Sequence, residues 1–244
     1  HGIFGYTNTP IRLNELIVER MQRLYNWAID PSWLVWMPGV VGSMHVACRS
    51  LCDATHSVLI PSVAYPYFHS APGLSGCNSQ LMVMTRSNRR WIIDLEKLAL
   101  QIDNSSQLML FCNPHNPGGA VYTVSELSAL AELMVSNDLI VCSDEIHCDL
   151  VLEAGMPHIP IASLNKAIEK RSITLMAPSK TFNIAGLSCS FAIIPDEAMR
   201  LKFSQASKGI IPYLNLLGMT AAQAAYEYGD DWNNQQIDYL RANR

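Results

Sequence analysis

A lysine that follows an apolar run is the first residue of this chain whose type and position indicate chemistry. Lys180 lies in the small and polar stretch 177–186, directly after Ser172–Met176, a β-branched and apolar segment that predicts a buried strand. A lysine held in a pocket at a strand end can lose its proton and form a Schiff base with a carbonyl, which a solvated ammonium does poorly. The alternative is that Lys180 is an ordinary lysine of a surface loop. The residues that follow the other predicted strands help to decide between these two interpretations.

Two further apolar runs end in an amide and a carboxylate. Residues 108–112 lead into Asn-Pro-His-Asn-Pro-Gly-Gly, a rigid turn that points the side chain of Asn116 out of the loop. Residues 139–143 lead into Asp144, which either pairs with a buried cation or caps a helix. Together with the lysine, these groups match pyridoxal 5′-phosphate, whose aldehyde needs an amine, whose pyridinium nitrogen needs a carboxylate and whose ring oxygen needs a donor.

Apolar runs that alternate with helical patterns predict how these residues are brought together. The predicted strands cover residues 57–60, 80–84, 108–112, 139–143, 172–176 and 190–194. Helices are predicted over residues 12–28, after a capping box at residues 123–126, from 214 to 228 and again from 232. This order predicts an α/β fold of three layers, with a mostly parallel sheet flanked by helices. In such sheets, ligands bind beyond the carboxyl ends of the strands.

Composition bounds the class of protein and its partners. The 244 residues, 49% hydrophobic and 16% charged, suit one large globular domain. A net charge of −4 gives no reason to expect nucleic acid or an anionic membrane surface as a partner, and no apolar run of about 18 residues is present to span a bilayer. Seven scattered cysteines, an odd number, indicate reduced thiols of a cytoplasmic protein.

Five motifs stand in the order of a known family. They cover residues 1–7, 36–41, 112–117, 143–149 and 177–186. In these motifs the chain resembles the fold-type I pyridoxal-phosphate enzymes of the aminotransferase class I/II family, and more narrowly the MalY/PatB group of cystathionine β-lyases. The resemblance extends over essentially the whole chain. It implies the large domain of that fold in residues 1–235, with residues 236–244 starting a helix that leads to a small domain absent from this sequence.

The resemblance implies roles around the cofactor ring. Lys180 forms the Schiff base with the aldehyde, Asp144 pairs with the ring nitrogen and Asn116 bonds the phenolic oxygen. His147 falls where the family usually has a tyrosine that touches the same oxygen; a histidine on a helix face is the alternative. Tyr65 matches the aromatic residue that stacks on the ring, although a tyrosine beside a proline also fits simple packing.

The resemblance also implies a phosphate site. Val40, Val41 and Gly42 match the phosphate cradle before a helix predicted over residues 44–52, where backbone N–H groups bind anions. Ser188 stands where the wider family often has an arginine, so hydroxyls such as that of Ser179 must do more of the neutralising. Tyr6 matches a tyrosine that reaches the phosphate of the neighbouring subunit, which implies a homodimer.

The activity that the resemblance implies is α,β-elimination from an amino acid such as L-cystathionine, giving a thiol, pyruvate and ammonia. Lys180 is then both the anchor of the cofactor and the general base at Cα. An aminotransferase uses the same residues and is one alternative. A MalY-like regulatory protein that binds a transcriptional activator is another. A zinc site of cysteines and histidines (Cys112, His115, Cys142, His147 and Cys148) lacks the close Cys-x-x-Cys spacing of structural zinc.

Overall fold

The computed structural model of the chain describes Gly2 and residues 4–244, so that His1 and Ile3 of the first motif lie outside the described residues. The strands are β1 (Leu34–Met37), β2 (Ser57–Pro61), β3 (Asn78–Met82), β4 (Met84–Ser87), β5 (Arg90–Ile93), β6 (Ser106–Cys112), β7 (Ile140–Asp144), β8 (Ser172–Met176) and β9 (Ser190–Ile193). The helices are α1 (Ile11–Tyr25), α2 (Val40–Leu51), α3 (Pro66–Leu74), α4 (Leu95–Gln101), α5 (Val124–Ser136), α6 (Lys166–Glu169), α7 (Glu197–Ser207), α8 (Leu216–Tyr228) and α9 (Asp230–Ala242).

Seven of these strands form one sheet in the order β1-β9-β8-β7-β6-β2-β3, and β4 and β5 form a separate hairpin. Strands β3, β2, β6, β7 and β8 are parallel neighbours. Strand β9 runs antiparallel to both β8 and β1, so β1 points the same way as the parallel strands. The chain moves outward from β2 to β3 and then returns to β6 on the other side of β2. The sheet therefore changes winding direction between β2 and β6, where ligand crevices form in such folds.

Both faces of the sheet are covered, which explains the unbroken apolar strands. Strand β6 shows this by alternation: Leu108, Leu110 and Cys112 pack into the core on the α2, α3 and α7 side, whereas Met109 and Phe111 pack into the core on the α4 and α5 side. A third cluster joins α1 and α8 to the face of β9. The predicted three-layer α/β fold with a mostly parallel sheet is confirmed.

The element boundaries differ from the prediction in instructive places. Helix α2 begins at Val40 rather than at 44, so the segment predicted as a cradle before the helix is its first turn. The apolar run at 80–84 is split into the end of β3 and the start of the β4–β5 hairpin. Strand β1 and this hairpin were not predicted. The predicted capping box is present, with the hydroxyl of Thr123 and the carboxylate of Glu126 each bonding the other residue's backbone N–H.

The predicted division of the chain near residue 235 falls inside one continuous helix. Helix α9 runs from Asp230 to Ala242 without a break and packs against α8. The assignment of residues 1–235 to a large domain and of 236–244 to the start of a connecting helix stays a prediction.

Candidate active site

The predicted site residues follow the carboxyl ends of strands that lie side by side. Tyr65 follows β2, Asn116 follows β6, Asp144 ends β7 and Lys180 follows β8. The first turn of α2 follows β1, which points in the same direction. One edge of the sheet thus carries all of these segments, because the carboxyl ends of parallel strands meet at a common edge.

Asp144 is a buried carboxylate with one oxygen left free. Its side chain is 6% exposed, and Oδ1 accepts the backbone N–H of Ile146 at 3.1 Å. Oδ2 has no hydrogen-bond partner among the described residues. Burial raises the pKa of Asp144 to about 7; the Ile146 N–H lowers the pKa, the charge of Glu145 raises it and that of Lys180 lowers it. A cation beside the free oxygen would hold this carboxyl in its ionised form.

Lys180 is exposed at the edge of the sheet, on a tight turn. The turn is closed by backbone bonds from Phe182 N to Pro178 O (2.9 Å) and from Ile184 N to Ser179 O (3.1 Å). The ε-amine makes no hydrogen bond or ion pair within the described part of the chain, yet it is near enough for its charge to act on the pKa of Asp144. The amine is therefore available to an electrophile, and the carboxylate that could balance that electrophile lies one strand away.

The loop that carries Asn116 is fixed by side chains that sequence reasoning did not assign to it. The thiol of Cys112 donates to the carbonyl of Pro114 at 3.2 Å and accepts from the N–H of Asn116 at 3.4 Å. The ring of His115 is 2% exposed, and its Nε2 lies 2.8 Å from the carbonyl oxygen of Val63. This contact ties the loop after β6 to the segment after β2, which holds Asn116 half-buried at the edge of the sheet.

His147 and Asn116 both line a cavity of about 570 Å³. Burial lowers the pKa of His147, and the charge of Lys180 lowers it further, so the imidazole is neutral at neutral pH. Leu150 and Met156 add apolar surface to the same cavity. Asp144, Lys180, Tyr65 and the start of α2 do not line it, so the cavity covers only one side of the predicted site.

The predicted aromatic residues are exposed. Tyr65 is 37% exposed and its ring packs on that of Tyr67, with 5.3 Å between centroids. Tyr6 is 96% exposed, and its ring meets that of Tyr213 in an edge-to-face arrangement with 6.0 Å between centroids. Nothing within the described residues brings Tyr6 to Lys180 or Asp144. That separation is compatible with the expectation that Tyr6 serves another subunit, which stays a prediction.

The start of α2 offers unpaired donors. The first helical hydrogen bond runs from Ser43 N to Gly39 O at 3.2 Å. The N–H groups of Val40, Val41 and Gly42 find no acceptor within the part of the chain that the structure describes. Three free N–H groups at the positive end of a 12-residue helix form an anion-binding arrangement.

A buried pair behind Asp144 was missed by sequence reasoning. The carboxylate of Glu145 is fully buried and bonds His158 Nε2 at 2.7 Å and the hydroxyl of Ser143 at 2.8 Å. Two carboxylates in succession thus face opposite ways: Asp144 is directed to the site and Glu145 into the interior. The motif at residues 143–149 indicates Asp144 through the resemblance, but nothing in the sequence indicates the partner of Glu145, which lies 13 residues away.

Over Gly2 and residues 4–244, no group of three or more histidine, cysteine or acidic side chains is arranged to hold a metal ion. Within the same residues, none of the helices combines the length and the apolar character needed to cross a bilayer.

The carboxyl ends of the strands thus carry a lysine, a buried carboxylate and the start of a helix at one edge of a mostly parallel sheet, an arrangement found in α/β proteins. The family model for aminotransferase class I and II matches residues 1–244, and the chain belongs to this family. Its fold is that of the type I pyridoxal-phosphate-dependent transferases, as the solved structures of similar chains demonstrate.

Similar proteins agree in fold and extend beyond this chain. Cystathionine beta-lyase PatB of Bacillus subtilis is 36% identical over 246 residues, which cover 100% of this chain and 63% of PatB. The crystal structure of OvoB superposes with a TM-score of 0.97 at 45% identity, covering 100% of this chain and 64% of OvoB. A C-S lyase of Staphylococcus hominis, solved with bound PLP, gives a TM-score of 0.91 at 32% identity over 99% of this chain and 60% of the lyase. The chain therefore spans less than two thirds of the length of these relatives.

Proposed function

We propose that this chain is the cofactor-binding part of a pyridoxal-phosphate-dependent carbon–sulfur β-lyase that acts on cysteine-type amino acids such as L-cystathionine. The observation that carries the proposal is the buried Asp144, one strand away from the exposed amine of Lys180. The similarity to a cystathionine β-lyase and to a C-S lyase supports the choice of reaction.

The residues at the edge of the sheet fit pyridoxal phosphate. The free oxygen of Asp144 is suited to the pyridinium N–H, which would supply the missing cation and lower the raised pKa of this carboxyl. The side-chain amide of Asn116 has no partner among the described residues and is available to the phenolic oxygen, as is the neutral His147. Tyr65 offers an exposed ring face for stacking.

The phosphate of the cofactor is proposed to bind at the first turn of α2. The free N–H groups of Val40, Val41 and Gly42 supply donors without a formal charge. Ser179, half-buried on the Lys180 turn, adds a hydroxyl. Tyr6, 96% exposed here, would reach the phosphate of a second copy, so we include a homodimer in the proposal.

Bound pyridoxal phosphate supplies an electron sink for the negative charge that develops at the substrate Cα. Lys180 would hold the cofactor through Nζ before the substrate arrives, and its amine, once free, would take the proton from the substrate Cα. Asp144, in its ionised form, would keep a positive charge at the ring nitrogen. Loss of that proton would let the bond between Cβ and sulfur break with both electrons leaving on the thiolate, and hydrolysis of the remaining amino-acid fragment would give pyruvate and ammonia.

An aminotransferase is the second candidate, because the family contains both reactions and the same lysine serves both. The two differ in where the proton goes: an aminotransferase returns it to the cofactor carbon and requires an α-keto acid acceptor. A lyase needs no acceptor.

The proposal also includes a cytoplasmic location, which is supported by the seven free thiols of the described chain.

The test uses the full-length protein loaded with pyridoxal phosphate. L-Cystathionine is added with and without an α-keto acid, and pyruvate is measured alongside amino-group transfer. We expect pyruvate without the acceptor. Amino-group transfer that requires the acceptor would replace the lyase assignment by the aminotransferase.

Lys180→Ala and Lys170→Ala form a matched pair, since both remove an exposed lysine near β8. We expect Lys180→Ala to abolish both turnover and the borohydride-reducible attachment of the cofactor, whereas Lys170→Ala retains both. Attachment that persists in Lys180→Ala would show that another residue holds the cofactor.

A further inference from the structure

The turn that carries Lys180 is held by the residue after the lysine. Thr181 is fully buried, and its hydroxyl donates to Oδ2 of Asp149 at 3.2 Å. The side-chain amide of Gln236, on α9, donates to the carbonyl of Thr181 at 2.9 Å. Because the anchors act on position 181, the backbone under Lys180 is fixed while its own side chain stays free to react.

Asp149 is oriented by a buried guanidinium. Nη2 of Arg20, on α1, lies 2.6 Å from Oδ1 of Asp149, and the two side chains are 7% and 5% exposed. Arg20 also contacts Asp230 at 3.2 Å, and its guanidinium lies over the ring of Tyr226 at 5.2 Å. Each oxygen of Asp149 therefore has its own partner, Arg20 on one side and Thr181 on the other. Such a paired, buried carboxylate keeps one orientation, since losing either partner leaves a charge or a polar group uncompensated.

Asp149 connects the two segments of the site whose spacing matters most. It lies five residues after Asp144, on the segment that also carries His147, and it bonds the residue that follows Lys180. The ion pair with Arg20 would stabilise the fold without any bond to Thr181. The additional bond fixes the Lys180 turn to the segment that presents the Asp144 carboxylate.

We propose that Asp149, oriented by Arg20, is a positioning residue that holds Thr181 and thereby sets the place of the Lys180 amine relative to the Asp144 carboxylate. This inference rests on the proposed function, in which the lysine binds the carbonyl of pyridoxal phosphate. A displacement of about 1 Å between reacting groups can reduce a rate by about 100-fold, so a bond that fixes the turn has catalytic consequences.

The test compares Thr181→Val, which keeps the shape and loses the hydroxyl, with Thr181→Ser, which keeps the hydroxyl. The full-length protein is loaded with pyridoxal phosphate, and the pH dependence of the absorbance of the lysine-bound cofactor is recorded. We expect Thr181→Val to shift the midpoint of this titration and to lower kcat by about 10- to 100-fold with little change in KM. Thr181→Ser should restore both properties. Asp149→Asn, which removes the charge and keeps the size, should resemble Thr181→Val.

The matched control is Thr123→Val. The hydroxyl of Thr123 likewise contacts a carboxylate, that of Glu126 at 3.0 Å, but it belongs to the cap of α5. We expect this variant to lose thermal stability without any shift of the spectroscopic midpoint. If Asp149→Asn does not fold, the comparison of the three threonine variants decides the question alone.

Two outcomes reject the positioning role. A Thr181→Val protein with the wild-type midpoint and kcat would do so, as would an equal shift in Thr123→Val. Either result leaves the proposed function intact, provided that Lys180→Ala still loses the covalently bound cofactor. Retention of that cofactor in Lys180→Ala would instead overturn the proposed function itself.

Discussion

The two sides of the candidate site differ in how completely the chain builds them. On the β7–β8 side, Asp144 is 6% exposed and Thr181 is fully buried, and each has a defined hydrogen-bond partner. On the β1–β2 side, Tyr65 is 37% and Tyr6 is 96% exposed, and the N–H groups at the start of α2 have no acceptor among the described residues. The chain thus fixes the carboxylate proposed for the ring nitrogen and the turn that carries Lys180, and it leaves the groups proposed for the phosphate and the ring face open to a ligand or another subunit.

This difference has a physical basis. Proton transfer depends on sub-ångström placement, so its groups belong on rigid strand ends supported by buried partners. Exposed N–H donors can bind a phosphate group, and an exposed aromatic ring face can stack on the ring of a ligand. If the comparison is right, substitutions on the β7–β8 side affect reactivity strongly, whereas those on the β1–β2 side mainly affect cofactor affinity.

Among the substitutions that test this contrast between the two sides, Asp144→Asn is expected to have the largest effect, because it removes the ionised carboxylate proposed for the ring nitrogen. We expect kcat of the loaded protein to fall by about 100- to 1000-fold, the range found when one preorganised electrostatic partner of a reaction is removed. Steady-state kinetics with L-cystathionine measures this. A fall in kcat of less than about tenfold would contradict the proposed difference between the two sides, because the β7–β8 side would then not control reactivity.

The same variant has a second readout in the cofactor-free protein. Burial raises the pKa of Asp144 to about 7, above the ordinary carboxyl value near 4. As the pH rises, the Asp144 carboxyl ionises in the unfolded chain before it ionises in the folded protein. The folded state therefore loses stability between about pH 4 and 7, by an amount on the order of a few kcal/mol. Asp144→Asn removes this loss, and we expect its Tm relative to the wild type to be higher at pH 8 than at pH 5.

Asp94→Asn is the control for that pH dependence. Hydrogen bonds from the backbone and side chain of Lys97 lower the pKa of Asp94. The contribution of Asp94 to the stability of the folded state is therefore complete above the ordinary carboxyl pKa and is lost only as the pH falls below that value. The difference in Tm between Asp94→Asn and the wild type should therefore stay constant from pH 5 to pH 8. A difference for Asp144→Asn that is equally constant would contradict the raised pKa.

A smaller effect is expected from Gly118→Ala, which tests the loop that holds Asn116. A Cβ at position 118 would overlap with Nδ1 of His115 and lie 3.0 Å from Cβ of Trp91. Because both neighbours are packed, we expect a loss of about 1 to 3 kcal/mol of unfolding free energy, measured by urea titration. Gly73→Ala meets open space in α3 and should be neutral or stabilising. Equal stability of the two variants would show that the loop yields easily.

The sequence was sufficient to predict the sheet and the positions of the candidate residues at its edge, because the signal for both is local. Strand β8 has the predicted bounds, and Asn116, Asp144 and Lys180 follow neighbouring strands as predicted. These predictions succeed because a buried parallel strand is a continuous apolar run and a ligand group comes directly after it. Strand β1 was missed because it is short and only partly buried, so its run has no clear boundary.

The supports of the site could not be predicted for a different reason. Asp149 meets Arg20 across 129 residues and Thr181 across 32, and Glu145 meets His158 across 13. No periodicity or spacing encodes such pairs, since they arise only when the helices and strands pack. The start of α2 was misplaced by four residues because Gly42 resembles a loop residue, although glycine is tolerated in a first helical turn.

The smallest effect is expected from Tyr6→Phe, which removes one exposed hydroxyl on the β1–β2 side. A hydrogen bond to a charged group contributes about 1.5 kcal/mol or more, so the Kd for pyridoxal phosphate should rise by about tenfold while kcat at saturating cofactor stays near the wild-type value. Tyr213→Phe is the control, because Tyr213 is similarly exposed (88%) and packs against the ring of Tyr6 rather than using its hydroxyl.

Mixed dimers then distinguish whether Tyr6 acts within its own chain or across an interface. One subunit carries Lys180→Ala and the other carries Tyr6→Phe. If Tyr6 serves the neighbouring subunit, the site with the intact Lys180 receives the intact Tyr6 and binds the cofactor with wild-type affinity. If Tyr6 serves its own chain, that same site retains the weakened affinity of Tyr6→Phe. The second result would mean that a movement of the N-terminal segment completes the β1–β2 side. The difference between the β7–β8 side and the β1–β2 side would then arise within one chain.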